Sequence, residues 1–307
     1  MLEAKDALLR CCFVSPLKIL CDSLTILRTN KLLFCSILFF TTLPLSFLTF
    51  TLTISTHALR NHVFHLEAVA RVASTRVEAR HIWHESRVDA LSLLRTRALF
   101  TLLCFPLSLA AAVSAVHATV SAVQARPATV RGANWKRPAA TVLFVYLVLM
   151  AFAPVPGALA AATVGSLLWA RLVARAIGSC ADVYLMAVLS MGLVVSVAED
   201  RVGWEAIRVG SGLMEGRRLC GWIISALFVL VSGLINRKME LLLENQDSAE
   251  IGVWDKSVLI CWYALVVLVS YVVTTVFYWD SRRRHDNAIK EPQDDQIEDC
   301  VANSSQL

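Results

Sequence analysis

Charge is scarce in this chain: Asp, Glu, Lys and Arg together make up 17% of the residues, against roughly 25% in a soluble domain. Catalytic signatures are missing too. There is no GxSxG elbow, no GxxxxGK[ST] loop and no GxGxxG turn, which removes the commonest enzymatic readings. The nine cysteines include no CxxC pair and no Cys/His ligand spacing, so neither a zinc site nor a disulfide framework is indicated and no cofactor is expected. Residues 1–30 carry charge throughout, and the first long apolar run starts only at Leu32; no cleavable signal peptide is expected. The net charge of +5 lies in intervals between apolar blocks, with no basic stripe interleaved by aromatics. Lipid headgroups, not nucleic acid, are therefore its expected counterpart.

What the chain does have is apolar residues, 57% of the total, with a mean hydropathy of +0.61. They come in blocks of about 20, the length that crosses a hydrocarbon core as a helix. The expected fold is all-α: a polytopic membrane helix bundle with about six transmembrane helices, over 32–56, 99–123, 141–160, 176–197, 219–235 and 258–278. Pro44 is tolerated in the first span. Pro154, Pro156 and Gly157 are expected to end or bend the third. The interval 57–97 keeps Leu66, Val69, Ala73 and Val77 at helical spacing and is read as helical. Residues 280–307, rich in Asp, Glu, Gln and Asn, are read as a disordered polar tail.

Two segments are read as interfacial helices. Within residues 15–30, in the N-terminal segment 1–31, Leu17, Leu20, Leu24 and Leu27 form one stripe, with Lys18 and Arg28 placed toward headgroups. Over 201–218, Ala206, Ile207, Gly210, Leu213 and Met214 share one side, with Glu205, Arg208 and Glu215 on the other. Arg208, Arg217 and Arg218 are the expected lipid or partner contacts there. Gly212 and Gly216 form a small-xxx-small pair suited to helix packing. Glu199 and Asp200, side by side, are a poor acid–base pair and are expected to end the fourth span and favour the N-terminus of the next helix.

Asp182 is the sharpest single candidate, since an ionisable group inside a span costs a few kcal/mol and often marks a solute path. Arg171 and Arg175 lie close enough in sequence to pair with it. In the interval 57–97, His62 and His65, then His81 and His84 with Glu85, have the i, i+3 spacing of a metal pair, but the neighbouring arginines repel a cation and a hydrogen-bonded helix face is the expected state. Cys11 and Cys12 stand together ahead of the first span, and are read either as plain buried thiols or as sites of reversible acylation. Asn303-Ser304-Ser305 is a glycosylation sequon in form.

Several stretches together carry a resemblance. They are Asn134-Trp135-Lys136-Arg137-Pro138, Val194 to Asp200 with Gly203, Trp204, Glu205, Ala206 and Ile207, then Leu213 to Arg218, and Thr274 to Trp279. In these the chain resembles a family of uncharacterised plant multi-pass transmembrane proteins. The span ending in an acidic residue, followed by a Gly and an Ala-bearing helix, is also similar to a wider group of prokaryotic membrane modules. Related plant proteins often carry a Cys-Lys-Ser type stretch after the last span, where this chain has Asp280-Ser281-Arg282-Arg283-Arg284-His285. The resemblance implies six spans and a membrane location, and brings no catalytic residues.

The leading expectation is a non-enzymatic integral membrane protein, of the endoplasmic reticulum, other endomembranes or plasma membrane, acting in membrane organisation or partner binding. Its expected partners are the bilayer, anionic headgroups, and protein partners or further copies of itself. A transporter or channel for a small solute using Asp182 is the alternative; an enzyme acting on lipid or at the histidines is the third reading. Most of the 29 Lys and Arg residues fall in the N-terminal segment, the second and fourth loops and the tail, which favours cytosolic termini. An interfacial helix followed by a span then occurs twice, as in an internal pseudo-repeat.

Overall fold

The computed structural model describes residues 15–72, 76–124, 136–152, 155, 159, 168–199, 201–244 and 251–304. Among these the all-α expectation holds. The elements are α1 (Ser15–Thr29), α2 (Lys31–Ile37), α3 (Leu43–Val72), α4 (Arg76–Gln124), α5 (Lys136–Phe152), α6 (Leu168–Ala198), α7 (Gly203–Leu213), α8 (Arg218–Glu244) and α9 (Ile251–Ser304). Among the described residues five helices are long and apolar enough to cross a membrane: Lys31–Val63, Trp83–Val123, Leu172–Ala198, Arg218–Glu244 and Trp254–Asp286. Of the expected third span, 141–160, the stretch 141–152 is described within α5, whose 17 residues make about 25 Å of helix. Most of its remainder lies outside the described residues.

The spans follow the apolar blocks, and in the first of them the hydroxyls are satisfied within the helix. Thr42, Ser46, Thr49, Thr53 and Thr56 each donate a hydroxyl to the carbonyl one turn earlier, which lets a Thr-rich segment sit in an apolar medium. A π-helical turn, Leu38–Thr42, separates α2 from α3. Pro44 explains it: the ring has no N–H and would crowd the carbonyl one turn back, and a widened turn gives it room. Outward-facing positions of the spans are apolar, with Leu32, Phe40, Leu102, Leu147 and Trp169 all exposed. Large apolar side chains left exposed along helices of this length are the mark of a membrane or partner contact.

The chain divides into two compact units. The first takes residues 1–31, 112–229 and 269–307. Its core gathers Ile19 of α1, Val116 of α4, Met191, Val194 and Val195 of α6, Met214, Ile224 of α8, and Val273 and Phe277 of α9. The second takes residues 32–111 and 230–268. There Phe50 meets Tyr263 edge-on at 5.2 Å, and Arg60 pairs with Glu240 at 2.9 Å.

Three expected boundaries move. The helical interval 57–97 is no separate element: 57–72 prolongs α3 and 76–97 opens α4. Where a disordered tail was expected from 280, α9 continues to Ser304. Ion pairs one turn apart, Arg282–Asp286 at 3.3 Å and Arg284–Asp280 at 3.6 Å, support the helix past the apolar run. The helix expected over 201–218 ends at Leu213. Gly216, at φ +83°, adopts the left-handed conformation that terminates helices, so Arg217 lies off the helix and Arg218 opens α8.

Candidate functional site

The first unit carries a polar clasp built from four separate stretches of chain. Helix α6 ends with the Glu199 amide bonded to the Val195 carbonyl at 2.8 Å. The Glu199 carboxylate accepts from the Tyr278 hydroxyl at 2.6 Å and from Arg282 at 2.5 Å. Tyr278 and Arg282 stand four residues apart on α9 and so share one face. Glu199 does close its span, as expected, but its carboxylate bonds α9, not the start of α7. Asp200 lies outside the described residues.

Arg217 forms the second half. It donates to Asp280 and to Ser15 Oγ at the start of α1, and its guanidinium lies 5.6 Å from the centre of the Phe277 ring. Phe277 and Asp280 are three apart on α9, so one helix face supplies both the ring and the carboxylate. Only 11% of the Arg217 side chain is exposed. The lipid contact expected of it is thus corrected: with Gly216 ending the preceding segment, the side chain is directed into the fold, where a planar guanidinium suits a carboxylate and an aromatic face together.

A third link places α7. Thr141 of α5 accepts the Gly203 N–H at 2.9 Å and lies 2.8 Å from Ser196 Oγ. Gly203 is the first residue of α7, where backbone N–H groups lack intrahelical partners, and its φ of +56° suits glycine. With Thr141 donating to the Arg137 carbonyl at 3.3 Å and Ser196 donating to Thr141, every polar atom of this buried group is used.

Close helix packing occurs, but not at the expected glycines. A Cβ on Gly192 of α6 would lie 2.6 Å from Ile207 Cγ1 and 3.0 Å from Ile207 Cα, and one on Gly210 would lie 3.0 Å from the Gly192 nitrogen. Gly212 and Gly216 have nothing within 4 Å of a built Cβ. Helix α7 buries Ala206, Ile207, Gly210 and Leu213, so the glycine on that face packs and Gly212 faces away.

The other expected residues lie apart from the clasp. Lys18 and Arg28 are exposed on α1, and Arg208 is exposed on α7. Arg218 is exposed and bonds Glu215 at 3.2 Å. Asp182 is half-buried on α6 and has no ion pair among the described residues; the side chains of Arg171 and Arg175 fall outside them, as do Cys11 and Cys12. His62 bonds Asp89 at 2.8 Å, while His81 and His84 are exposed. Among the described residues no group of three His, Cys, Asp or Glu could hold a metal.

Tyr278, Arg282, Asp280 and Thr141 are the residues the sequence reading missed. The available signal was modest: a phenol and a guanidinium one turn apart at the end of an apolar run, with a carboxylate ending another. Chemically the clasp is static, each charge held by an opposite charge or a hydroxyl. Comparison with curated proteins and with solved structures found no match. Residues 9–302 match the family model described as Domain of unknown function (DUF8558), and with nearly its whole length covered the chain belongs to that family.

Proposed function

We propose that the protein is a non-enzymatic integral membrane protein that organises the bilayer or docks partners at the cytosolic leaflet, with α1 as the contacting element. One observation carries this reading. Helix α1 turns Ile19 and Ser23 into the fold and leaves Leu17 and Leu24 at 59% and 56% exposure, with Lys18 and Arg28 exposed beside them. Its 15 residues reach about 22 Å, too short to cross the hydrocarbon. Exposed leucines beside basic residues on such a helix match an element lying in the headgroup boundary. Helix α7 adds Trp204, 67% exposed, and Arg208; its own apolar face is used up against α6.

The direction of the chain supports an even number of crossings. The end of α6, the starts of α5 and α8, and the 278–282 stretch of α9 meet at one end of the first unit. The end of α4 is there too, since Val123 borders a pocket with Ser15 and Asp280. Helices α4 and α6 both finish at this end and α5 starts from it, which supports counting α5 as a further crossing. The reading is therefore six crossings, with both helical termini on one side. The basic residues gathered on that side favour the cytosol, in the endomembrane system or plasma membrane.

The test uses the full chain in lipid nanodiscs containing phosphatidylserine, with single cysteines at Leu17, Asp22 and Leu24 carrying a polarity-sensitive fluorophore. Blue-shifted emission is expected at Leu17 and Leu24 relative to Asp22. Equal, water-like emission at all three positions overturns the reading.

A further inference from the structure

We infer that the pocket between α1 and α9 binds the phosphate of an anionic lipid headgroup, an assignment that rests on the membrane-surface placement of α1. The pocket has a volume of 270 Å³ and is bordered by one stripe of α1, one stripe of α9 and Val123 at the end of α4. That is just below the roughly 300–1,000 Å³ of sites that enclose a whole drug-sized ligand. It suits a headgroup whose chains remain outside.

Charge selects the ligand class. Lys18, Arg283 and Arg284 face the pocket with Asp22 and Asp280. Asp280 is already matched by Arg217 and by Arg284, which leaves Lys18 and Arg283 against the single carboxylate of Asp22. Their exposure lets both head groups swing onto an incoming anion, and Arg283 presents the fork that phosphate oxygens accept in pairs. Trp279 also borders the pocket, with its indole N–H fully buried behind the surface.

Apolar residues decide between a lipid and free phosphate. Ile19, Ile26, Val123 and Val276 complete the lining, and a free phosphate makes no use of them. Val123 is the last residue of one membrane-length apolar helix, and Val276 lies ten residues short of the end of another. The pocket therefore opens where acyl chains meet headgroups, with Leu17 and Leu24 of α1 exposed close by.

The experiment is titration of the full-length protein in neutral detergent with phosphatidic acid, phosphatidylcholine or inorganic phosphate, read by native mass spectrometry. Phosphatidic acid is expected to bind roughly tenfold more tightly than phosphatidylcholine, and Lys18→Gln with Arg283→Gln to erase that preference. Arg95→Gln, exposed on α4 and away from the pocket lining, should leave it intact. Both altered side chains of the pocket variant are exposed, so the fold persists, and unchanged thermal unfolding checks this. A preference that survives the pocket variant, or one that Arg95→Gln removes as well, overturns the site. Displacement of phosphatidic acid by equimolar inorganic phosphate overturns the lipid assignment. None of these outcomes alters the fluorescence expected at Leu17 and Leu24, so the failure of the pocket and the failure of the α1 reading are separately visible.

Discussion

Gly192 of α6 and Gly210 of α7 approach so closely that a methyl group on Gly210 would sit 3.0 Å from the Gly192 nitrogen and 3.2 Å from the Met191 carbonyl carbon. Backbone cannot yield as a flexible side chain does. Gly210→Ala is expected to cost about 1–3 kcal/mol through overpacking. Gly212→Ala, in open space on an exposed face, should be neutral or stabilising by roughly 0.5–1 kcal/mol through helix propensity. Thermal unfolding of the two variants in detergent, side by side, checks the contrast; equal melting temperatures would remove the close-packing account.

The Glu199 clasp predicts a graded series. Glu199→Ala strands the hydroxyl of Tyr278, itself only 2% exposed, and releases Arg282. A loss of about 1–3 kcal/mol is expected, the cost of an unsatisfied buried group, discounted because Arg282 is partly solvated. Glu199→Gln retains an acceptor for the phenol and should lose less. Tyr278→Phe should lose least, since it deletes the donor and leaves the carboxylate with Arg282. The order of unfolding midpoints is the readout, and a Gln variant as weak as the Ala variant would mean the acceptor is not what matters.

The proposed six-crossing topology predicts that Arg283 and His84 face opposite sides of the membrane. Both residues are exposed. In sealed microsomes, with the native cysteines replaced, a membrane-impermeant maleimide should label Arg283→Cys directly and His84→Cys only after the vesicles are opened. The reverse pattern inverts the orientation and keeps the crossing number. Labelling of both from one side sinks the six-crossing topology.

The spans were legible because each is a block of apolar residues, and length against bilayer thickness needs no tertiary information. The buried face of α7 was legible for a related reason: Ala206, Ile207, Gly210 and Leu213 recur at the helical period. Periodicity could not say what that face meets. An interfacial placement leaves its partner open, whereas the meeting of Gly210 with Gly192 turns it toward α6. In α1 the leucine stripe was recognised, but Ile19 and Ser23, not the leucines, face the core. The clasp was illegible because Glu199 and Tyr278 are 79 residues apart, and Arg217 and Asp280 are 63 apart. No local pattern encodes a pairing between helix ends. The Gly212–Gly216 spacing misled for the same reason, since a small-residue pair announces room for a neighbour without showing that one is present.

The clasp also sets an order on biosynthesis. Ser15, Glu199 and Arg217 leave the ribosome well before Phe277, Tyr278, Asp280 and Arg282. Through most of insertion, Glu199 and Arg217 lack the partners that α9 supplies to them. The last helix delivers the counter-charges, the phenol and the aromatic ring in a single stretch of six residues. A nascent chain released early would contain most of its greasy segments and still lack the latch between them. Locking of the first unit thus waits on a stretch that enters some 60 residues after Arg217, and until then its rim stays unlatched.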